Sequence, residues 1–225
     1  MDTNYLAENL PLLFRAAWVT IWLTALTLFL STVIALPLSV VGLTRVTFAS
    51  QALDMATLLL RSLPTLVILF FFYYGLPQFG IVLSPFPVAV IGLTLSAIAY
   101  NIEIFRSGLR AVDPGQIEAA RALGLPSWRI WVQIVFPQAL PIFTPTYLSN
   151  ATLVLKGTSV ASIITIPELT SVANEIVSLT YQPFEILIAA AFMYILMGGV
   201  LSLAAQGVRW KMARRLAPVE KETGA

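Results

Sequence analysis

The sequence predicts an all-α, polytopic membrane protein with five transmembrane helices. Hydrophobic residues make up 58% of its 225 residues and charged residues only 11%, whereas a soluble domain carries roughly 25% charged residues. The charged residues also leave uncharged runs long enough to cross a bilayer, which takes about 20 apolar residues. None of these runs has the short alternating pattern of a β-barrel strand.

The predicted spans follow the gaps between charged residues. The first gap begins after Arg15 and ends before Arg45, and it holds one span. The next uncharged run, 62–102, is too long for one span, and Gly- and Pro-containing breakers at 75–80 and 84–87 divide it into two. The five predicted spans lie at 16–44, 58–76, 87–107, 130–155 and 186–208.

The basic residues predict the orientation. All but two of the 13 lysine and arginine residues fall in the 44–61 loop, in the 106–129 loop or after the fifth span, and the exceptions are Arg15 and Lys156. Because basic residues are enriched in cytoplasmic loops, we expect the C-terminus in the cytoplasm and the N-terminus outside. The predicted division is an extracytoplasmic segment 1–15, a transmembrane domain 16–208 and a basic cytoplasmic tail 209–225.

A short polar helix is predicted between the third and fourth spans. Asp113 is suited to the N-cap position, Pro114 to the first helical position and Gln116 to the reciprocal position of a capping box. Gly124 can adopt the left-handed conformation that closes a helix. An ordinary connector needs fewer residues, so the pattern indicates that this helix contacts something outside the lipid.

The residues of this helix resemble a known motif. The stretch from Glu118 to Ala120, followed by Gly124 and Pro137, is similar to the EAA motif of ABC-importer permeases. The resemblance covers roughly residues 18–207 and points to the polar amino-acid uptake branch, whose members carry histidine, glutamate, glutamine, arginine or opines. Further positions resembling that branch lie at 61–64, 100–109, 115–116, 137–141, Asn150, 155–159 and 168–169.

The resemblance implies a type I ABC-importer permease fold with a cytoplasmic coupling helix at about 113–124. Such a helix seats in a groove of an ATPase subunit, and ATP-driven closure of the ATPase dimer switches two permease subunits between inward- and outward-facing states. The chain is then no enzyme and needs no cofactor, because the partner binds ATP. The alternative is a capped surface helix without a partner. The implied ATPase-coupling residues are Glu118, Ala119, Ala120, Arg121 and Gly124.

The resemblance also implies partners and a location. We expect a cytoplasmic ATPase dimer, an extracytoplasmic amino-acid-binding protein and a second permease subunit, in the lipid of a bacterial cytoplasmic membrane. The formal net charge of +2 and the absence of histidine argue against nucleic acid as a partner. The absence of cysteine excludes thiolate metal sites, and no metal site is expected. The amino acid carried and the choice between homodimer and heterodimer stay open.

Polar residues after the fourth span are the predicted substrate contacts, because an ionisable group at membrane depth is costly without a partner or water. Lys156, with the hydroxyls of Thr158 and Ser159, is suited to a substrate carboxylate, and Glu168 to the ammonium group. In the alternative, Lys156 extends to the membrane interface and Glu168 caps a helix. Gly157 stands where the family often has aspartate, which leaves open whether this chain itself holds the substrate site.

Two further points stay open at the level of sequence. Glu103 and Arg106 share a helix face, and they form either a gate or a structural ion pair, of which the ion pair is favoured. A stand-alone secondary amino-acid transporter is the alternative function, although it predicts an internal repeat and mid-membrane acids that the sequence does not show. A membrane scaffold without transport leaves the segment from Lys156 to Glu168 unexplained.

Overall fold

The computed structural model describes residues 3–41, 43 and 48–216, and within them the side chains from Leu6 to Met212. Arg45 and the tail residues 217–225, on which part of the predicted orientation depends, lie outside the described residues. The α-helices in chain order are α1 (Thr3–Val41), α2 (Phe48–Ser62), α3 (Thr65–Phe70), α4 (Pro85–Arg110), α5 (Pro114–Ala122), α6 (Ser127–Arg129), α7 (Phe136–Gly157), α8 (Leu169–Thr180) and α9 (Pro183–Leu216).

The described helices confirm the all-α class and the span count. The helices α1, α4 and α9 are each long and apolar enough to cross a bilayer without a break. Two further crossings are bent. The segment Thr65–Phe79 meets α2 at 96°, and the segment Ser127–Ile164 meets α8 at 49°. With each bent pair counted as one span, the described chain has the predicted five.

The predicted second span at 58–76 contains a break near its beginning. The helix α2 ends at Ser62 and α3 begins at Thr65, with Pro64 between them. Proline has no N–H group to donate to a helix, and it also disfavours the helical conformation of the residue before it. The spans are predicted from the uncharged runs between charged residues, which carry no information about this backbone effect. The predicted span therefore includes parts of two helices.

The helix α2 contacts the bundle through polar side chains. Ser50 and Thr57 are buried, and the Asp54 carboxylate, itself partly exposed, contacts Arg106 of α4 at 2.6 Å. On the opposite side, Phe48 is 87% exposed. Buried hydroxyls opposite an exposed apolar side chain are typical of a protein whose surroundings are hydrocarbon rather than water. This arrangement supports the membrane assignment independently of hydropathy.

Two of the crossings contain a wide helical turn. A π-helical turn follows α3 at Phe71–Gly75, and a second one joins α6 to α7 at Ile130–Val135. A π turn bonds residue i to residue i+5, so it holds one residue more than an α turn, and such turns are frequent at functional sites. The second turn leads into the long helix α7, and α6 separates it from the polar helix α5.

The buried side chains form clusters that fix the two ends of the bundle. At the end that carries α5, Phe105 of α4 packs edge-on against Phe143 of α7, with ring centroids 4.9 Å apart. At the opposite end, Leu13 of α1 packs with Ile186 of α9, and both are 0% exposed. The segment 1–15, predicted as a separate extracytoplasmic piece, is therefore part of α1 from Thr3 onwards.

Candidate functional sites

The polar helix α5 has the predicted start and stop. The Asp113 carboxylate accepts a hydrogen bond from the Gly115 N–H at 2.8 Å, and Pro114 opens the helix. Gly124 has φ +75°, the left-handed conformation expected of a residue that closes a helix. The predicted capping box does not form, because the Gln116 side chain instead accepts a hydrogen bond from the Gln138 amide of α7 at 2.6 Å.

The predicted ATPase-coupling residues divide into an outer and an inner set. Glu118, Ala119, Arg121 and Gly124 are exposed, whereas Ala120 is 3% exposed and packs in the cluster that contains Phe105. The sequence motif treats the two alanines as equivalent small residues. The structure shows that one presents itself to the outside and the other anchors α5 to the bundle.

The predicted ion pair between Glu103 and Arg106 is present, with a nitrogen–oxygen distance of 3.1 Å. Asp54 of α2 makes a second, shorter contact with the same guanidinium nitrogen of Arg106, which is buried. Sequence reasoning missed Asp54 because it lies far away along the chain. A buried cation held by two carboxylates from different helices is a structural link between α2 and α4, so this arrangement favours the ion-pair interpretation over a gate.

The predicted substrate residues Thr158 and Ser159 form hydrogen bonds within their own segment. The Thr158 hydroxyl is buried and donates to the Leu155 carbonyl at 2.7 Å, and the Ser159 hydroxyl donates to the Lys156 carbonyl at 2.7 Å. Both hydroxyls therefore satisfy the end of their own helix. The Lys156 side chain is exposed.

Glu168 is the N-cap of α8. Its carboxylate is 0% exposed and accepts from the Ser171 N–H at 2.7 Å and from the Tyr194 hydroxyl at 2.8 Å. The neighbouring Leu169 N–H donates to the Thr20 hydroxyl at 3.1 Å, which ties the same turn to α1. Both carboxylate oxygens are thus engaged. The geometry favours the capping alternative, and a substrate role for Glu168 stays a prediction.

We expect Glu168→Ala to lower the melting temperature clearly, while Glu168→Gln lowers it little. The alanine removes the acceptor of the half-buried Ser171 N–H, which costs roughly 1–3 kcal/mol, and it takes one of its partners from the Tyr194 hydroxyl. The glutamine keeps one carbonyl oxygen for the Ser171 N–H. Size-exclusion chromatography of detergent-solubilised protein after a heating series measures the difference. Equal melting temperatures for Glu168→Ala and the unmodified chain would contradict the capping role.

A small cavity with a few polar side chains in a largely apolar wall lies between α3, α4 and α7. It has a volume of about 200 Å³, and none of the described residues that line it is charged. The hydroxyls of Thr65 and Ser96, both in its wall, are hydrogen-bonded to each other at 3.1 Å. The volume is below the roughly 300–1,000 Å³ of sites for drug-sized ligands, so the cavity suits a small solute. Its lining residues are Thr65, Leu93, Ser96, Ala97, Tyr100, Asn150, Leu153, Val154 and Gly157.

A buried chain of hydrogen bonds leads to this cavity from α1. The Asn150 side-chain NH₂ donates to the Asn101 carbonyl oxygen at 3.0 Å, and the Asn101 NH₂ donates to the Ser31 hydroxyl oxygen at 3.0 Å. The Ser31 hydroxyl donates in turn to the Leu28 backbone carbonyl at 3.2 Å. Asn101 and Asn150 lie at positions that resemble the family in sequence, but sequence reasoning gave them no role because it followed charged residues and these groups are neutral.

These features define a class of protein. A bundle of membrane-crossing helices, with a capped polar helix exposed at one end and a small cavity with polar side chains inside, has the organisation of a membrane transport subunit. Residues 33–215 match the family described as binding-protein-dependent transport system inner membrane component. The chain belongs to this family.

Individual relatives and solved structures agree with the family. The nopaline transport system permease protein NocM of Agrobacterium fabrum is 36% identical, with 93% of this chain and 91% of that protein covered. The probable glutamine ABC transporter permease protein GlnP of Bacillus subtilis is 36% identical, with 90% and 94% covered. A crystal structure of an amino acid ABC transporter with histidines matches with a TM-score of 0.84 and 30% identity over 96% of this chain and 99% of that one.

The comparisons confirm the resemblance that the sequence predicted. The fold of the methionine ABC transporter MetNI, at 20% identity and a TM-score of 0.76 over 90% of this chain and 97% of that one, is the same type I permease fold. The chain is thus a permease subunit of an ABC importer and a multi-pass membrane protein. A stand-alone secondary transporter is not favoured.

Proposed function

We propose that this chain carries a polar amino acid across the bacterial cytoplasmic membrane by alternating access, driven by a separate ATPase dimer on which α5 sits. Relatives named for nopaline, glutamine and histidine transport support the substrate class. The partners are the ATPase dimer, an extracytoplasmic amino-acid-binding protein and a second permease subunit. The positions of the basic residues support an outside N-terminus and a cytoplasmic C-terminus.

The two-sided character of α5 carries the proposal. Its outer side presents Glu118 and Arg121 to the surroundings, and its inner side is fixed to the bundle through Ala120 and the bond between Gln116 and Gln138. A partner that displaces α5 therefore also displaces the beginning of α7. Because α7 carries part of the cavity wall, a displacement of α5 also moves part of the wall of the cavity between α3, α4 and α7.

We further propose that the cavity between α3, α4 and α7 is part of the substrate pathway. Its size and the neutral polar side chains in its wall support this proposal, since a small polar solute in a membrane protein needs hydrogen-bonding groups in place of water. Lys156 precedes Gly157 of the wall, so a carboxylate contact by Lys156 is compatible with this location. The wall leaves open space at Gly157, because a Cβ atom built there would meet nothing within 4 Å.

A charge reversal tests the coupling proposal. We expect Glu118→Lys to reduce co-purification of the ATPase subunit and ATP-dependent uptake at least tenfold, because an interface contact becomes a repulsion, while the permease still inserts and folds. Affinity capture of the tagged permease followed by quantification of the bound ATPase is the measurement.

Glu175→Lys is the matched control, since Glu175 is an exposed acid on α8 at the opposite end of the bundle. This control is expected to keep full ATPase association. Retention of the ATPase and of uptake by Glu118→Lys would overturn the assignment of α5 as the coupling helix.

A further inference from the structure

We propose that the side-chain carbonyl oxygen of Asn150 accepts a hydrogen bond from the ammonium group of the transported amino acid, and that Ser31 and Asn101 act as positioning residues that aim this oxygen. The inference rests on the proposed role of the cavity in the substrate pathway. It assigns an ammonium-recognition group to a cavity that has no acidic residue in its wall.

The buried hydrogen-bond chain runs in one direction from its far end to the cavity. The Ser31 hydroxyl donates its single hydrogen to the Leu28 backbone carbonyl, and its oxygen is the acceptor that faces Asn101. Asn101 must then present its NH₂ to Ser31, which turns its own carbonyl oxygen towards Asn150. Asn150 must in turn present its NH₂ to Asn101.

The end of this series of hydrogen bonds that faces the cavity is therefore an acceptor. With its NH₂ committed to Asn101, Asn150 keeps its carbonyl oxygen for another partner, and Asn150 is a wall residue of the cavity. Ser31 and Asn101 are 0% exposed and Asn150 is 8% exposed. Rotation of one amide alone by half a turn would oppose like groups in a buried site, which is strongly disfavoured. The opposite orientation requires both amides and the Ser31 hydroxyl to turn together.

An oriented carbonyl oxygen selects between the two charged ends of an amino acid. An ammonium group offers three donors and no acceptor, whereas a carboxylate offers acceptors only. The Asn150 oxygen attracts the first and repels the second. The hydroxyls of Thr65 and Ser96 in the same wall already pair with each other, so they compete less for the ammonium group.

Binding to the complete permease–ATPase complex in lipid nanodiscs, without the binding protein, tests the inference. The probes are L-glutamine, L-glutamate and L-arginine, each compared with its analogue that lacks the α-amino group. We expect Asn150→Leu to weaken binding of the amino acids about tenfold, as the loss of one charge-assisted hydrogen bond implies, and to leave the analogues unchanged. Asn150→Asp keeps an acceptor for the ammonium group and is expected to retain the preference for the amino group, with Asn101 turned so that its NH₂ faces the carboxylate and the Ser31 hydroxyl turned to donate to Asn101.

A matched pair of serines tests the positioning role. Ser31 and Ser39 are both buried in α1, and each donates to the carbonyl three residues earlier, at 3.2 and 2.6 Å respectively. Only Ser31 accepts from Asn101. We expect Ser31→Ala to make both amide orientations similar in energy, which weakens amino-acid binding roughly twofold but not analogue binding. Ser39→Ala is expected to change neither.

The outcomes separate this inference from the proposed function. An equal loss of amino acid and analogue binding in Asn150→Leu, or unchanged binding of both, would overturn the ammonium assignment and leave the permease function standing. If the unmodified complex binds none of the probes, the proposed substrate pathway itself fails. Equal effects of Ser31→Ala and Ser39→Ala would overturn the positioning role alone.

Discussion

The variant Gly108→Ala is expected to unfold at a clearly lower temperature than the unmodified permease and to lose uptake in proportion. A Cβ atom built at Gly108 would lie 2.9 Å from the Phe143 Cβ atom and 3.2 Å from the Ala139 carbonyl oxygen. Neither of these atoms is the mobile end of a side chain, so α4 and α7 must move apart. Overpacking of this kind costs about 1–3 kcal/mol.

The separation of α4 and α7 also concerns the site. The cavity and the bond between Asn101 and Asn150 both bridge these two helices. A shift of a few tenths of an ångström at Gly108 therefore disturbs solute binding as well as stability. A thermal series followed by size-exclusion chromatography, together with uptake in proteoliposomes, measures both effects.

Gly199→Ala is the matched control for Gly108→Ala. Gly199 is also a helical glycine, in α9, and a Cβ atom there would meet nothing within 4 Å. Alanine is favoured over glycine in a helix by roughly 1 kcal/mol, so this control is expected to be neutral or slightly stabilising. Similar melting temperatures for the two variants would contradict the close approach of α4 and α7.

The second large effect is expected from a pair of variants, Ala120→Glu and Ala119→Glu. Ala120 is 3% exposed in the core near Phe105, so glutamate at this position is an unpaired buried charge. Such a charge is strongly destabilising, by several kcal/mol. We expect Ala120→Glu to detach α5 from the bundle, to lower the yield of folded permease severely and to abolish uptake.

Ala119→Glu separates docking from folding. Ala119 is exposed, so the folded permease is expected to persist with an unchanged melting temperature. If the outer side of α5 seats against the ATPase, the added charge and bulk reduce ATPase co-purification strongly. Parallel measurements of melting temperature and ATPase capture distinguish the two defects. A melting temperature lowered equally in both variants would contradict the two-sided description of α5.

Much of the fold is predictable because it depends on local chemistry. The cap at Asp113, the left-handed Gly124 and the number of crossings each follow from a residue's own backbone preference or from the cost of a charge in lipid. The break before Thr65 was equally local, and Pro64 was its signal. Counting charges alone overlooked that signal.

The candidate sites were less predictable because they depend on pairs that are distant in sequence. The link between Arg106 and Asp54 joins α4 to α2, and the link between Asn150 and Asn101 joins α7 to α4. Neither is visible in a single segment. Asn101 and Asn150 also lie in runs without charge, where a search for costly groups finds nothing. A search for neutral amides inside predicted spans would have found both.

The inner and outer roles of α5 illustrate the same limit. Ala119 and Ala120 are identical in composition and adjacent in sequence, so only the direction from which the bundle approaches α5 separates them. For Glu168, the sequence allowed both a substrate contact and a helix cap. Two hydrogen bonds from residues of the same chain favour the cap.

The π turn at Ile130–Val135 has a consequence for how such permeases can diverge. Because the turn holds one residue more than an α turn, loss of a single residue there restores a regular helix and leaves the faces of the residues beyond it nearly unchanged. The same deletion within a regular helix would rotate those residues by about 100° and turn Asn150 out of the cavity wall. The turn thus marks a place where permeases of slightly different length can keep the same cavity.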